Sequence, residues 1–513
     1  MMRRNIAANV VARAWSIIAA YVFVPVYLRF MGIEAYGLVG FYATLVAVLT
    51  FADMGFTATL NRELVRLSVR NDSASEMGVL LRTYEVLYLF ISASVATAVW
   101  FSGPWIAQRW LHSNTLPLPE VARAIQLMGV GIAFQLPADL YTGGLIGLQR
   151  QVLSSSLQIS WSMSRACGAI LVLWLWSPTV LAFSTWQLVC NLLFCLLIRW
   201  NLWRVILRDD RVSRFTFSWS MLQKTWRYAV GMAGMAVMMT LLTQSDKAAV
   251  SKLLPLDILG YYTIASALGT SPSMLGAPIA AAVFPRLAGL AATEARIEFQ
   301  RVYHSACQLV VVVAVSGGLT LAAYAPEFIR AWTGSSLTAQ YAGIAASLLI
   351  LGQLMQVIMV VPTYLSLAYG NVRLNLQLCL ASVVIVIPLL ILLIEKYGIN
   401  GAGAAWLIMN FTVVLPFTFV THRRYLPGHF AKWLSRDIAL PTLGALFGVG
   451  VCRWLIPIPS ARPLLLALIA CAWIFSAACA ACLSSELRSR LWSSRHEVMN
   501  LMSSWSRVVS PEQ

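Results

Sequence analysis

The chain has 513 residues, of which 59% are hydrophobic and 11% charged, and its formal net charge is +17. A soluble fold of this size cannot hide that much apolar surface, so the composition excludes a water-soluble globular protein. The basic excess does not indicate nucleic-acid binding either, because the Lys and Arg residues lie between apolar runs and not in one patch.

Fourteen apolar stretches reach the length of about 20 residues that a transmembrane helix needs. They do not alternate apolar and polar residues as barrel strands do, and lipid requires the backbone to be satisfied within each span. We therefore predict an all-α membrane protein with 14 transmembrane helices. The predicted spans are 9–31, 36–60, 79–101, 124–148, 155–176, 181–200, 226–250, 258–283, 304–325, 341–368, 374–394, 401–421, 437–456 and 463–483.

Basic residues concentrate in alternate connections between these spans. Under the positive-inside rule this bias places both termini in the cytoplasm, which agrees with an even number of spans.

Two short turns, 31–38 and 254–262, are both acidic and both carry Gly and Tyr, and each follows the first helix of one half of the chain. This spacing predicts a parallel internal repeat with a pseudo-twofold axis along the membrane normal. The predicted parts are a six-helix lobe (1–200), a cytoplasmic linker (201–225), a second six-helix lobe (226–425), two additional helices (426–483) and a cytoplasmic tail (484–513).

Several short motifs recur at the ends of these spans. They are Pro25, Tyr27 and Leu28, then 31–37, 51–56, 61–63, 147–150, 244–247, 259–262 and 397–404. In this order, and with fourteen spans, the chain resembles the polysaccharide (O-antigen) flippase branch of the multidrug/oligosaccharidyl-lipid/polysaccharide exporter superfamily.

The resemblance implies a multi-pass protein of the cell inner membrane that works by alternating access. Its cargo would be an undecaprenyl-diphosphate-linked oligosaccharide, the repeat unit of a lipopolysaccharide O-antigen or an exopolysaccharide, moved from the inner to the outer leaflet. No cofactor is expected, and a gradient of H⁺ or Na⁺ is expected to drive the transport. Membrane lipids, a polysaccharide polymerase and its chain-length machinery are the expected partners.

Charged groups inside the spans are the candidates for cargo contacts, because they are costly in lipid and usually face a watery interior. Arginine suits a diphosphate because its planar fork binds oxyanions through two hydrogen bonds. We expect cavity-facing roles for Arg13 with Asn9 one turn earlier, and for Arg165. The alternatives are snorkelling of Arg13 to the headgroups and a structural ion pair between Arg165 and Asp139.

Other intramembrane polar groups are candidates for coupling or gating. Gln244 and Lys247 share one helix face and are expected to line the cavity. The expected coupling or gate residues are Asp53, Arg62, Asp139 and Asp246.

Two further groups have a simple local interpretation. Arg82 and Glu85 stand three residues apart and predict a pair within one helix. His304 begins the ninth predicted span and is interpreted as interfacial, not as part of a proton relay.

No enzyme motif or metal-ligand set stands out, so we expect neither catalytic nor metal residues. Two other functions are alternatives to a flippase. A cation-coupled multidrug exporter of the same superfamily is disfavoured by the intramembrane arginines and the fourteen spans. An O-antigen polymerase or another membrane glycosyltransferase would need a large outer loop, and the longest, 102–123, is short.

Overall fold

A computed structural model describes residues 2–69, 74–207, 217–486 and 488. Within these ranges the protein is helical and contains no β-strand, which confirms the predicted all-α class. The helices are α1 (Met2–Leu49), α2 (Phe56–Ser68), α3 (Ala74–Trp105), α4 (Leu118–Gly147), α5 (Gln151–Leu175), α6 (Val180–Ile206), α7 (Trp219–Leu253), α8 (Leu256–Gly269), α9 (Ser271–Ala292), α10 (Arg296–Val310), α11 (Ser316–Ala323), α12 (Ala325–Thr333), α13 (Ser336–Ala368), α14 (Val372–Tyr425), α15 (Phe430–Lys432), α16 (Leu440–Leu455) and α17 (Arg462–Leu483).

The described helices form two compact units that divide in the sequence between Thr263 and Ile264. In the first unit α4 packs against α2, α3 and α6, and in the second α13 packs against α9, α12 and α14. These two central helices cover the fourth predicted span of each half. The boundaries predicted for the two lobes stay a prediction.

Ten helices among the described residues are long and apolar enough to cross a membrane, so the protein is a multi-pass membrane protein. Two of these helices run through the turn between two predicted spans. Gly32 (φ 80°) bends α1, and Gly398 (φ 59°) bends α14, at the turns expected between those spans. Glycine reaches these positive φ angles without the steric cost that a Cβ brings. The count of fourteen crossings stays a prediction.

The second predicted span ends earlier than expected. The helix α1 stops at Leu49, a short 3₁₀ turn follows, and the backbone then reverses through Met54 (φ 45°) and Gly55 (φ 71°) before α2 begins. The linker is also shorter than predicted, since α6 continues to Ile206 and α7 begins at Trp219. Residues 208–216 and most of the predicted tail lie outside the described residues.

Candidate functional site

Arg165 lies on α5 in a polar and aromatic surrounding formed with α6 and α1. Its Nε donates a hydrogen bond to Oε1 of Gln187 at 2.5 Å, and its guanidinium stands over the ring of Trp161, 4.7 Å from the centroid. Nearby, Tyr27 of α1 donates its hydroxyl hydrogen to the carbonyl oxygen of Ala166 at 3.2 Å. A guanidinium carries five N–H donors, and the two Nη groups of Arg165 have no hydrogen-bond partner among the described residues, so they can bind an oxyanion.

The ion pair between Arg165 and Asp139, one alternative from the sequence, is not formed. The guanidinium turns towards α6 and binds Gln187. Asp139 of α4 instead lies within electrostatic range of Asp53 and Tyr88. The two side chains therefore have different partners, which their spacing in the sequence could not reveal.

Asp53 connects the start of α2 to α3. It accepts hydrogen bonds from the backbone N–H of Thr57 at 3.2 Å and from the Thr57 hydroxyl at 2.5 Å, which satisfies an otherwise unpaired N–H of the first helical turn. The Tyr88 hydroxyl also donates to its carboxylate. Asp53 thus has a structural partner on a second helix, while Arg62, on the next turn of α2, is exposed.

Asp246 on α7 accepts a hydrogen bond from the Tyr262 hydroxyl of α8 at 2.6 Å and is only 8% exposed. Its Oδ1, the Oε1 of Gln244 and the Oγ of Ser245 are buried with no hydrogen-bond partner among the described residues. Buried polar atoms without a partner are costly and are concentrated at functional positions. Lys247 is half-buried beside them. The predicted roles of Gln244, Lys247 and Asp246 stay predictions.

The predicted pair of Asn9 and Arg13 lies on α1, and the side chains of both residues lie outside the described part of the structure.

Glu85 on α3 joins three helices. As predicted, Arg82 Nη1 lies 3.0 Å from its Oε2. The sequence did not reveal the partners from the other helices: Arg199 Nε at 2.8 Å and Trp203 Nε1 at 2.7 Å from α6, and the Tyr141 hydroxyl at 3.0 Å from α4, all on Oε1. The carboxylate is 6% exposed, whereas both arginines are nearly half exposed.

Replacing Glu85 with glutamine is expected to lower the stability of the first unit. The change leaves two arginines without a counter-charge and buried donors poorly paired, at a cost of about 1–3 kcal/mol. Thermal unfolding of the detergent-purified protein measures the loss. Glu298→Gln is the matched control, because its ion pair with Arg286 is exposed on both sides and contributes little. An equal melting temperature for Glu85→Gln and Glu298→Gln would contradict the assignment.

The turns 31–38 and 254–262, singled out as repeat-related, lie against each other in the first unit. A Cβ at Gly37 would overlap the carbonyl oxygen of Leu256, and a Cβ at Gly260 would overlap that of Ile33. We call this pair of glycines and the backbone they touch the α1–α8 glycine contact. Small residues at such a crossing let two helix backbones approach closely.

A connecting segment closes over the same turns. Glu34 accepts hydrogen bonds from the backbone N–H groups of Asn114 at 2.6 Å and Thr115 at 2.9 Å and from the Ser113 hydroxyl at 2.9 Å. The backbone N–H of Leu256 donates to the carbonyl oxygen of His112 at 2.9 Å. One buried carboxylate therefore fixes the segment between α3 and α4 onto the bend of α1 at Gly32, which is predicted to lie on the outer side.

In the second unit, His304 is part of a buried hydrogen-bond chain, which its position at the start of a predicted span did not reveal; its interfacial depth stays a prediction. His304 and Asp437 are both 0% exposed and are hydrogen-bonded through Nδ1 and Oδ2. The other nitrogen, Nε2, lies 2.9 Å from Nδ1 of the half-buried His429. Gln308 donates to the second oxygen of Asp437 at 2.8 Å. The sequence did not reveal these hydrogen bonds because each joins residues more than 100 positions apart.

Asp437 sits in a π-helical turn, Trp433–Ala439, between α15 and α16. Such turns are rare and often occur at functional positions. No group of three or more His, Cys, Asp or Glu side chains that could hold a metal occurs among the residues the structure describes.

The comparisons with known proteins decide the family. The chain matches the family "Polysaccharide biosynthesis protein" over residues 2–291, more than half of its length. The chain belongs to this family. A curated relative, the "Putative O-antigen transporter" of Shigella flexneri, is 20% identical over 354 residues, which cover 68% of this chain and 81% of the relative.

Solved structures share the fold of this polysaccharide biosynthesis family member. A structure of the lipid II flippase MurJ in an inward closed conformation matches with a TM-score of 0.72 and 13% identity, covering 92% of this chain and 97% of that one. An inward-facing multidrug resistance MATE transporter of the MOP superfamily matches with a TM-score of 0.61 and 14% identity, covering 80% and 94%. At these identities the likeness establishes the fold.

The residues matched to the family contain the surroundings of Arg165, Glu85 and Asp53 and the α1–α8 glycine contact. The chain from His429 through His304 to Asp437 lies beyond residue 291 and therefore outside the match.

Proposed function

We propose that this member of the polysaccharide biosynthesis family moves an undecaprenyl-diphosphate-linked oligosaccharide from the inner to the outer leaflet of the inner membrane by alternating access. The observation that carries the proposal is Arg165, whose two Nη groups have no hydrogen-bond partner among the described residues while its guanidinium stands over the ring of Trp161. A guanidinium fork fits a diphosphate because it donates two parallel hydrogen bonds to an oxyanion. The O-antigen transporter among its relatives and the MurJ-like fold support the same class of cargo.

Complementation tests the proposal. The gene is placed in a bacterium that lacks its surface-polysaccharide flippase and carries the matching sugar-assembly genes, and surface polymer is measured. Wild type should restore polymer. Arg165→Ala should lower it at least about tenfold at equal membrane abundance, since a charged hydrogen bond contributes about 1.5–3 kcal/mol. Arg165→Lys should restore only part of the surface polymer, because lysine keeps the positive charge but lacks the planar guanidinium that makes two parallel hydrogen bonds.

Arg204→Ala is the matched control. Arg204 also stands over a tryptophan, Trp200, at 5.2 Å, but near the end of α6. It should leave polymer near the wild-type level. Full activity of Arg165→Ala would remove Arg165 from the cargo site. Failure of the correctly inserted wild type with its matched cargo would overturn the flippase proposal.

Protons are the coupling ion that we favour over Na⁺. The buried pair of His304 and Asp437 can take up a proton on an imidazole nitrogen, whereas hard cations prefer a shell of oxygen ligands. The half-buried His429 offers a path from the surface. Cooperation with a polysaccharide polymerase and chain-length machinery is a further proposal.

Cation-coupled multidrug export is the second candidate, supported by the MATE-like fold and by the buried carboxylate of Asp246. Drug resistance of the same strains discriminates the two functions. A wild-type gene that raises resistance to cationic drugs without restoring polymer would favour export.

A further inference from the structure

A cavity of about 490 Å³ opens between α3, α4 and α6 in the first unit, away from Arg165. Its volume lies within the roughly 300–1,000 Å³ typical of ligand pockets. The lining residues are almost all apolar, apart from a charged cluster at one end and Ser92 further along. Since α3 contributes Arg82 at that end and Ala96 at the other, fourteen residues apart, the cavity is about 21 Å long. We call it the α3–α4–α6 groove.

The charged end of the groove has an excess of positive charge. Arg82 and Arg199 share the single carboxylate of Glu85, so the cluster carries a net charge of about +1. The side chains of the two arginines are 46% and 44% exposed, whereas that of Glu85 is 6% exposed. Two guanidiniums hold ten N–H donors, and the carboxylate can accept only some of them. The remaining donors are available to an anion at the mouth of the groove.

The rest of the groove suits a hydrocarbon chain. The small side chains of Ala93, Ala96 and Ala133 leave room for such a chain inside the groove. The walls are apolar side chains that are exposed at the surface of the unit, namely Val86, Leu89 and Leu196. In a membrane-spanning protein such an open apolar wall faces acyl chains. Ser92 lines the groove, is 8% exposed, and its Oγ has no hydrogen-bond partner among the described residues. That hydroxyl is a single polar group well along the groove, closer to Ala96 than to Arg82.

We propose that the α3–α4–α6 groove binds one anionic phospholipid, with its phosphate on Arg82 and Arg199 and one acyl chain along Ala93 and Ala96. Charge complementarity decides the occupant. A phosphatidylglycerol-type headgroup balances the net positive charge, whereas a zwitterionic headgroup brings a second cation to the two arginines. The cluster lies near the first turns of α3 and the last turns of α6, the depth that the distribution of Lys and Arg assigns to the cytoplasmic leaflet.

Native mass spectrometry of the full-length, lipid-depleted protein tests this site directly. Phosphatidylglycerol, phosphatidylethanolamine and undecaprenyl phosphate are added separately and in competition. The wild type should retain one phosphatidylglycerol at least about fivefold more strongly than phosphatidylethanolamine. Ala93→Trp should lower this retention about fivefold or more by filling the groove, without entering the core, because Ala93 is exposed.

Leu193→Trp is the matched control. Leu193 is also an exposed apolar residue of the same unit, on α6, but it does not line the groove. It should retain phosphatidylglycerol as the wild type does. Arg82→Gln tests the headgroup contact separately and should reduce the preference for phosphatidylglycerol over phosphatidylethanolamine.

Three results would overturn the proposal. They are equal retention of the two phospholipids by the wild type, unchanged retention in both Ala93→Trp and Arg82→Gln, and displacement of phosphatidylglycerol by an equal concentration of undecaprenyl phosphate. The last result would assign the groove to the lipid carrier of the cargo. Because the readout is binding, each outcome is independent of whether the protein transports an oligosaccharide.

Discussion

Gly37→Ala is expected to abolish the restoration of surface polymer. The added Cβ would overlap the carbonyl oxygen of Leu256, and a backbone atom cannot move aside as the end of a side chain can. The crossing of α1 and α8 must therefore open or shift. Gly260→Ala should have the same effect from the other side, since its Cβ would overlap the carbonyl oxygen of Ile33.

Gly450→Ala is the control for helix propensity. Gly450 lies within α16, and a Cβ there meets no atom within 4 Å. Alanine is favoured over glycine inside a helix by about 1 kcal/mol, so this variant should be as active and at least as stable as the wild type. The measurement is surface polymer at equal membrane abundance, together with the melting temperature of each purified variant. Normal polymer in both Gly37→Ala and Gly260→Ala would show that the close crossing is not needed for transport.

His304→Gln is expected to flatten the dependence of transport on pH. The substitution keeps hydrogen-bonding atoms near Asp437 but removes the group that can take a proton. Burial, followed by the charges of His304 and Lys432, lowers the pKa of His429 below its ordinary value. The lowered pKa means that His429 takes up a proton only at a lower pH than an ordinary histidine does.

Several ionisable groups surround the His304–Asp437 pair among the described residues and also affect the pH profile. Those around the pair itself are Tyr303 and Cys307 on α10, His422 on α14 and His429. Lys432 acts on His429 and is itself paired with Glu486. Transport into vesicles is measured from pH 6 to 8 for wild type, His304→Gln and Asp437→Asn. The control is His112→Gln, an exposed histidine. A wild-type pH profile in His304→Gln would exclude the pair as the proton site.

The helices and two of their turns could be predicted from the sequence, because apolar length and glycine at a polar turn are local properties. The turns at Gly32 and Gly398 and the pair of Arg82 and Glu85 were found in this way. The remaining partners of Glu85 could not be predicted, since Arg199 is 114 residues away. Long spans that are apolar on every side carry little periodicity, so the face on which a polar residue lies is decided only by packing.

The same limit explains what the sequence did not reveal. Arg165 binds Gln187, an uncharged residue that a search for opposite charges overlooks. Asp437 stands at the edge of a predicted span and drew no prediction, and the structure buries it completely. A buried carboxylate requires partners from several elements, and only the fold brings these together.

The α1–α8 glycine contact has a consequence for the proton permeability of the membrane. Where two backbones touch, little room remains between the helices for a file of water molecules along which protons could hop. We therefore expect this crossing to hinder the passage of protons between α1 and α8. A larger side chain at Gly37 or Gly260 would keep α1 and α8 further apart. In a cell we expect this to appear first as a proton leak that dissipates the proton gradient even when no cargo is supplied.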